Sequence, residues 1–231
     1  MFENTFATLR NRSDVTCRTH LIEPREKDTA FAITVAQYSR YQDATFYLTD
    51  LRNSKELWRK SASRTTWLTY HQASNLIIEQ GDDFWQARDW QDWDAAPKWH
   101  LNLTTDDHIA KFGEDSMFVY RGPHNGLLAF DVHTGKQRWE VKSTNAGDGS
   151  SLIVGKSHLF YIYGEETAEH VEVTIEKRSL TDGKVEATLH NAVTLDRDWW
   201  FRAALSDDES ELIFWASRNN NWIAAVDVST F

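Results

Sequence analysis

From Leu127 to Val141 the chain reads LLAFDVHTGKQRWEV, an apolar run, a polar cluster and a second alternating run that carries Trp139. Alternation with period two puts successive side chains on opposite faces of a strand. Gly135, in the cluster His133-Thr134-Gly135-Lys136, supplies the positive φ that a tight strand-to-strand turn needs. The segment therefore predicts a hairpin whose first strand ends at Asp131. The phrase returns with wear. FYLTDLRNSKELWRK, residues 46–60, keeps Asp50 and Trp58 at the same spacing as Asp131 and Trp139. FWQARDWQDWDAAPKWHLNL, residues 84–103, separates Asp89 from Trp99 by a longer turn. VTIEKRSLTDGKVEATLH, residues 173–190, has Gly183 in its turn and Ala187 where the Trp would fall, and WIAAVDVSTF, residues 222–231, carries Asp227.

Taking Asp50, Asp89, Asp131, Ser179 and Asp227 as equivalent gives steps of 39, 42, 48 and 48 residues. Upstream of each later hairpin lies a second alternating pair split by polar residues, such as Ser206-Asp207-Asp208-Glu209-Ser210 before the last one. Four short strands per 40 to 50 residues is the signature of a propeller blade. The expectation is an all-β, single-domain β-propeller over residues 1–231. It has five four-stranded blades near 15–62, 65–103, 107–143, 150–190 and 199–231, with four blades as the alternative if the Asp89 repeat is an insertion. The last repeat offers three strands and the N-terminus a spare alternating segment, Thr5-Phe6-Ala7-Thr8-Leu9. A strand near 4–10 would complete the last blade and remove an open edge, which otherwise templates aggregation.

The turn Asp131, Thr134, Gly135, Lys136 and Trp139, repeated in part at Asp50, Lys55 and Trp58 and at Thr181, Gly183 and Lys184, resembles the pyrroloquinoline-quinone-like (PQQ-like) propeller repeat. That resemblance implies a propeller in which the repeat Trp docks between neighbouring blades and the turn residues fix the hairpin. Asp50, Trp58, Trp99, Asp131, Gly135, Trp139, Gly183 and Asp227 are then architectural. The family's dehydrogenases are longer, and many place a vicinal Cys pair on the cofactor; this chain has only Cys17. The resemblance implies the fold without the cofactor site, and no cofactor is expected.

Composition narrows the partners. Twenty-five Lys and Arg against 35 Asp and Glu give a net charge of −10, which repels phosphate backbones and anionic membrane and speeds encounter with a basic protein. One Cys closes no internal disulfide and builds no Cys-based zinc site, and residues 1–20 carry no apolar run of signal-peptide length. A cytoplasmic protein is expected. No two of the nine His stand at ligand spacing, so no metal is expected, and no nucleophile-elbow, P-loop or dinucleotide motif occurs.

Two groups carry candidate chemistry. Asp82, Asp83, Asp106, Asp107, Asp148, Asp198 and Asp207 lie at blade entrances, where two carboxylates roughly 5 to 10 Å apart could cleave a glycoside. Trp85, Trp90 and Trp93 do not fit the repeat and crowd one acidic segment with Asp82 and Asp83. With Glu165 and Glu166 of the stretch 164–170, taken as an acidic loop, and with Asp198 and Trp199, they suggest an acidic, Trp-containing face, since Trp is enriched at the centres of interfaces. The leading reading is a non-catalytic, monomeric binding protein for a basic protein, an inhibitor or immunity-type neutraliser of a basic toxin or enzyme. The alternative is a carbohydrate-binding or glycoside-cleaving propeller with axial Asp residues.

Overall fold

The computed structural model describes residues 16–22, 31–37, 44–63, 66–103, 107–121, 126–142, 151–167, 170–196, 201–216 and 222–230. All regular structure among them is β: nineteen strands form five antiparallel sheets of neighbouring strands, four with four strands and one with three. The first sheet holds β1 (Thr16–Ile22), β2 (Phe31–Gln37), β3 (Ala44–Asp50) and β4 (Lys55–Ala62). The second holds β5 (Trp67–His71), β6 (Leu76–Gln80), β7 (Trp85–Asp89) and β8 (Trp99–Leu101). The third is β9 (Asp107–Phe112), β10 (Ser116–Arg121), β11 (Gly126–Asp131) and β12 (Gln137–Val141). The fourth is β13 (Ser151–Val154), β14 (His158–Glu166), β15 (His170–Ser179) and β16 (Val185–Asp196); the fifth is β17 (Phe201–Leu205), β18 (Glu211–Ala216) and β19 (Trp222–Asp227). The predicted strand near 4–10 lies outside the described residues.

The repeat is visible in the strand register. In every sheet the first residue of the second strand pairs with the turn residue that ends the third: Phe31 with Asp50, Leu76 with Asp89, Ser116 with Asp131, His158 with Ser179 and Glu211 with Asp227. Two residues before that turn residue, Leu48, Ala87 and Ala129 pair with Trp58, Trp99 and Trp139, and Lys177 pairs with Ala187. The register slips at the same place in three sheets, after Leu48, Ala129 and Lys177. A bulge there adds a residue on one strand and sharpens the local twist.

The turn residue works through its side chain. The Asp50, Asp89 and Asp227 carboxylates and the Ser179 hydroxyl each accept the backbone N–H two residues on, at 2.8 to 3.1 Å, the side-chain mimic of a backbone turn. Asp131 accepts from Arg138 at 2.6 Å. Four residues past the turn residue the backbone enters the left-handed region at Ser54, Gly135 and Gly183, with φ of 51°, 67° and 72°. Gly avoids the Cβ clash of that region, whereas Ser54 bears it.

The contacts group into two compact units, Met1–Thr105 with His133–Gly135, and Asp106–Val132 with Lys136–Phe231. In the first, Phe31, Ile33, Phe46 and Leu48 pack against Ile77 and Trp90. In the second, Phe118, Leu127, Ala129 and Trp139 pack against Leu152, Leu159, Tyr161 and Tyr163, and Phe160, Ile162, Val173 and Ile175 against Leu212, Phe214 and Val228.

The fourth sheet departs from expectation. Gly164, Glu165 and Glu166 are the end of β14, paired with Val173, Glu172 and Val171, so the predicted acidic loop is a strand end closed by a tight turn. The alternation Val171, Val173, Ile175 extends the sheet because one face of it is buried against the fifth.

Candidate binding surface

The repeat Trp residues fasten one sheet to the next. The Trp58 indole N–H donates to the Trp90 carbonyl, and that of Trp139 to the Leu180 carbonyl, both at 2.9 Å. Each acceptor is the residue directly after a turn residue, Asp89 or Ser179. A Cβ on Gly183 would stand 2.8 Å from the Trp139 ring, and one on Gly135 2.8 Å from the Trp99 ring. The missing side chain of the turn Gly therefore makes room for the indole in both cases.

The segment 82–93 is not one patch. β7 runs through it, so Asp82 and Asp83 lie at one end of the strand and Trp90 to Trp93 at the other, about 13 Å apart at a strand rise near 3.3 Å per residue. Asp82 and Asp83 are exposed in a turn closed by the Gly81 N–H on the Phe84 carbonyl at 2.8 Å. Trp85 and Trp90 are buried, at 0% and 2% exposure, and their indole nitrogens find no hydrogen-bond partner among the described residues. Trp90 packs its ring on Phe31 with centroids 4.4 Å apart. Trp93 is half-buried, its ring 4.7 Å from that of Trp58 and 5.4 Å below the Arg88 guanidinium. The expectation that Trp85 and Trp90 present an interface is corrected, because both are core; Trp93, partly exposed, covers the Trp58 lock.

Their signal was in the repeat. Trp85 stands four residues before its turn residue, as Phe46, Leu127 and Ile175 do, and all four are buried at 1% exposure or less. Trp90 holds the position after the turn residue, which is apolar in every copy: Leu51, Trp90, Val132, Leu180 and Val228.

Two arginines, not foreseen from the sequence, occupy the position just before the turn residue: Arg178 is buried and Arg88 half-buried. Arg178 donates to the Glu176 carboxylate at 2.5 Å and to the Gly183 carbonyl at 2.8 Å. Arg88 donates to Glu79 at 3.2 Å and to the carbonyls of Trp93 and Ala95, both at 3.0 Å. Each neutralises a largely buried carboxylate and ties down a turn, which buried ion pairs need to be stable.

The remaining acidic candidates fall at corresponding places. Asp82 and Asp83 form the turn between the second and third strands of their sheet; Glu165 and Glu166 end the second strand of theirs, next to the same turn. Asp198 and Trp199 lie outside the described residues, as do Asp106 and Asp148. Asp107 lies on β9 and Asp207 in the exposed β17–β18 turn. Hydrogen bonds hold several turn carboxylates below the ordinary range: Asn53 that of Asp50, Lys184 that of Asp182, Ser229 that of Asp227. The hydroxyls of Ser210 and Ser206 bring Asp208 to about 2. Among the described residues no three His, Cys, Asp or Glu side chains gather as a metal site, and no helix is long and apolar enough to cross a membrane.

No family model and no curated protein matches the chain. Among solved structures it is similar to Kluyveromyces lactis Hsv2, with 12% identity over 93% of this chain and 62% of that one and a TM-score of 0.62. A structure from an analysis of two prolyl endopeptidases matches at 9% identity over 93% and 34% of the two chains, TM-score 0.62. Kuenenia stuttgartiensis hydrazine synthase matches at 12% identity over 91% and 63%, TM-score 0.54. The chain thus spans about a third to just under two thirds of these structures. Neighbours of the propeller type and five antiparallel sheets define an all-β fold of the propeller class.

Proposed function

We propose that this protein is a non-catalytic binding protein that engages a basic protein through acidic residues, with the sheet ends at Asp82–Asp83 and Glu165–Glu166, and Asp198 and Trp199, as the candidate contacts. In this reading the five sheets are five blades of a PQQ-like repeat, and a strand near residues 4–10 completes the fifth. One observation carries the reading. Of the acidic candidates, Asp82, Asp83, Glu165 and Glu166 fall at the same point of their repeats, the end where the second strand passes to the third. In a propeller, corresponding turns of successive blades gather on one rim. Asp82, Asp83, Glu165 and Glu166 are acidic on a chain of net charge −10, and an acidic surface steers a basic partner and repels acidic ones. An inhibitor or immunity-type neutraliser of a basic toxin or enzyme is the kind of protein that uses such a rim, and it works in the cytoplasm as a monomer.

The test is capture of partners from native lysate by the tagged protein at low salt and at about 0.5 M salt, where screening removes long-range attraction. One basic protein retained at low salt and lost at high salt is expected. Retention that ignores salt, or of acidic proteins only, would rule out the charged rim.

A further inference from the structure

The end of the second sheet that carries Asp82 and Asp83 also carries an aromatic side chain that the repeat does not ask for. Trp67, the first residue of β5, pairs with Gln80 of β6 and is 59% exposed. The same register position, opposite the fifth residue of the second strand, holds Arg18, His108, Ser151 and Arg202 in the other sheets, polar in every one. On β5 the core is met by Leu68 and Tyr70, which pack against the first sheet and by alternation lie on the opposite face from Trp67. Among the described residues Trp67 is the one aromatic in the set of large, exposed apolar side chains. The turn beside it is braced. The Gly81 N–H donates to the Phe84 carbonyl at 2.8 Å, a Cβ on Gly81 would run into the Phe84 ring, and that ring stacks on His100 with centroids 5.8 Å apart. Asp82 and Asp83 are exposed on this turn. Trp67 lies one strand spacing, about 4.8 Å, across from Gln80, and Asp82 follows Gln80 by two residues, at most about 7 Å along the chain.

We infer that Trp67 is the aromatic anchor of the binding surface and takes an arginine side chain of the basic partner, its guanidinium over the indole face and against the carboxylates of Asp82 and Asp83. This rests on the reading of that sheet end as part of the surface that meets a basic protein. The occupant follows from the chemistry gathered there. A cation is drawn to the face of an indole within about 6 Å of the ring centre, and the same charge is drawn to the two carboxylates. Arginine meets both demands at once, because its planar guanidinium stacks on aromatic rings, pairs its N–H groups with a carboxylate and sheds water more readily than an ammonium. The chain makes this pairing within the first sheet, where the Arg59 guanidinium stands 5.0 Å from the centre of the Tyr47 ring and donates to the Glu56 carboxylate at 2.9 Å. A braced turn also loses little freedom when a partner arrives. Trp and Arg are the residues most enriched where interfaces are strongest.

Trp67→Ser tests the anchor, because Ser151 holds this position in the fourth sheet and the net charge of −10 is unchanged. The probe is hexa-arginine, titrated into the full chain and followed by calorimetry and by NMR of the indole N–H groups. The Trp67 indole resonance, identified by its absence from the variant, should move saturably, and Trp67→Ser should bind the probe about threefold or more weakly. Leu57→Ser, a change of the same kind at an exposed position of β4, should leave the affinity unchanged, and hexalysine should lose less than hexa-arginine on Trp67→Ser. No binding by the wild type, a stationary indole resonance, equal affinity of the wild type and Trp67→Ser, or an equal loss in Leu57→Ser would overturn the anchor, and an equal loss with hexalysine would overturn its assignment to arginine. The two readings fail separately. A basic protein captured from lysate and retained equally by Trp67→Ser would overturn the anchor alone, whereas the expected hexa-arginine result with no basic protein captured would remove the wider reading and keep the arginine site.

Discussion

Replacing Gly183 by Ala probes the lock between repeats, and the structure sets both parts of its cost. At φ 72° an L-residue is disfavoured by roughly 1 to 2 kcal/mol. The new Cβ would also stand 2.8 to 3.1 Å from three atoms of the Trp139 ring, well inside the contact distance of about 3.5 to 4.0 Å. Trp139 cannot retreat freely, because its indole N–H is held by the Leu180 carbonyl at 2.9 Å. Overpacking of this kind costs about 1 to 3 kcal/mol, so Gly183→Ala should destabilise by about 2 to 5 kcal/mol in total. In a Trp139→Leu background the clash disappears and only the backbone term of roughly 1 to 2 kcal/mol remains. Urea unfolding of the wild type, both single variants and the double variant gives the coupling from the midpoints, provided the m-values agree. A coupling of about 1 to 3 kcal/mol is expected. Equal costs for Gly183→Ala in both backgrounds would show that the glycine serves the backbone alone and that the indole does not dock over the turn.

The same turn predicts the opposite sign elsewhere. Ser54, at φ 51°, should become Gly with a gain of up to about 1 kcal/mol in chemical denaturation, the strain relieved being partly offset by a freer unfolded chain. Arg178→Met should cost about 3 to 5 kcal/mol because it strands the Glu176 carboxylate, while Arg178→Met with Glu176→Leu should recover most of the loss; thermal melts of the two variants decide. Asp208, fully exposed and lowered from 3.8 to about 2, contributes stability that is complete above pH 3.8 and is lost as pH falls toward 2. Asp208→Asn should therefore flatten the acid limb of a stability-against-pH curve in that window and leave the neutral region's slope unchanged.

The architecture was legible because it is written as a register. The Asp-to-Trp spacing at Asp131 and Trp139 is the spacing of a third-strand end and the cross-strand partner of the residue two before it, across a bulge, so a motif in one dimension fixed a pairing in three. The five turn residues could be aligned before any geometry was known, Ser179 included, although it shares no carboxylate with the others. The site was harder to read. Trp85 and Trp90 looked superfluous because the repeat had been recognised by its Asp and Trp alone. Counting back four residues from Asp89, or forward one, assigns both to positions that are apolar in the sister copies. Arg88 and Arg178 were missed for another reason. A basic residue beside an acidic turn resembles a surface charge, and only the fold brings Glu79 across from β6 to meet Arg88. The acidic stretch 164–170 read as a loop because its charges outweighed the Val171-Val173-Ile175 alternation, which is what extends the strands.

The most direct measurement of the proposed binding mode is the affinity of the captured partner, at several salt concentrations, for two charge-reversed variants. One is Asp82→Lys with Asp83→Lys, at the second-to-third-strand turn; the other is Asp92→Lys with Asp94→Lys, at the opposite end of β7. The account predicts at least a tenfold loss for the first pair, about 1.4 kcal/mol or more, with a shallower dependence on salt, and little change for the second. Equal losses in the two variants, or a loss confined to the second, would contradict the assignment of the binding rim.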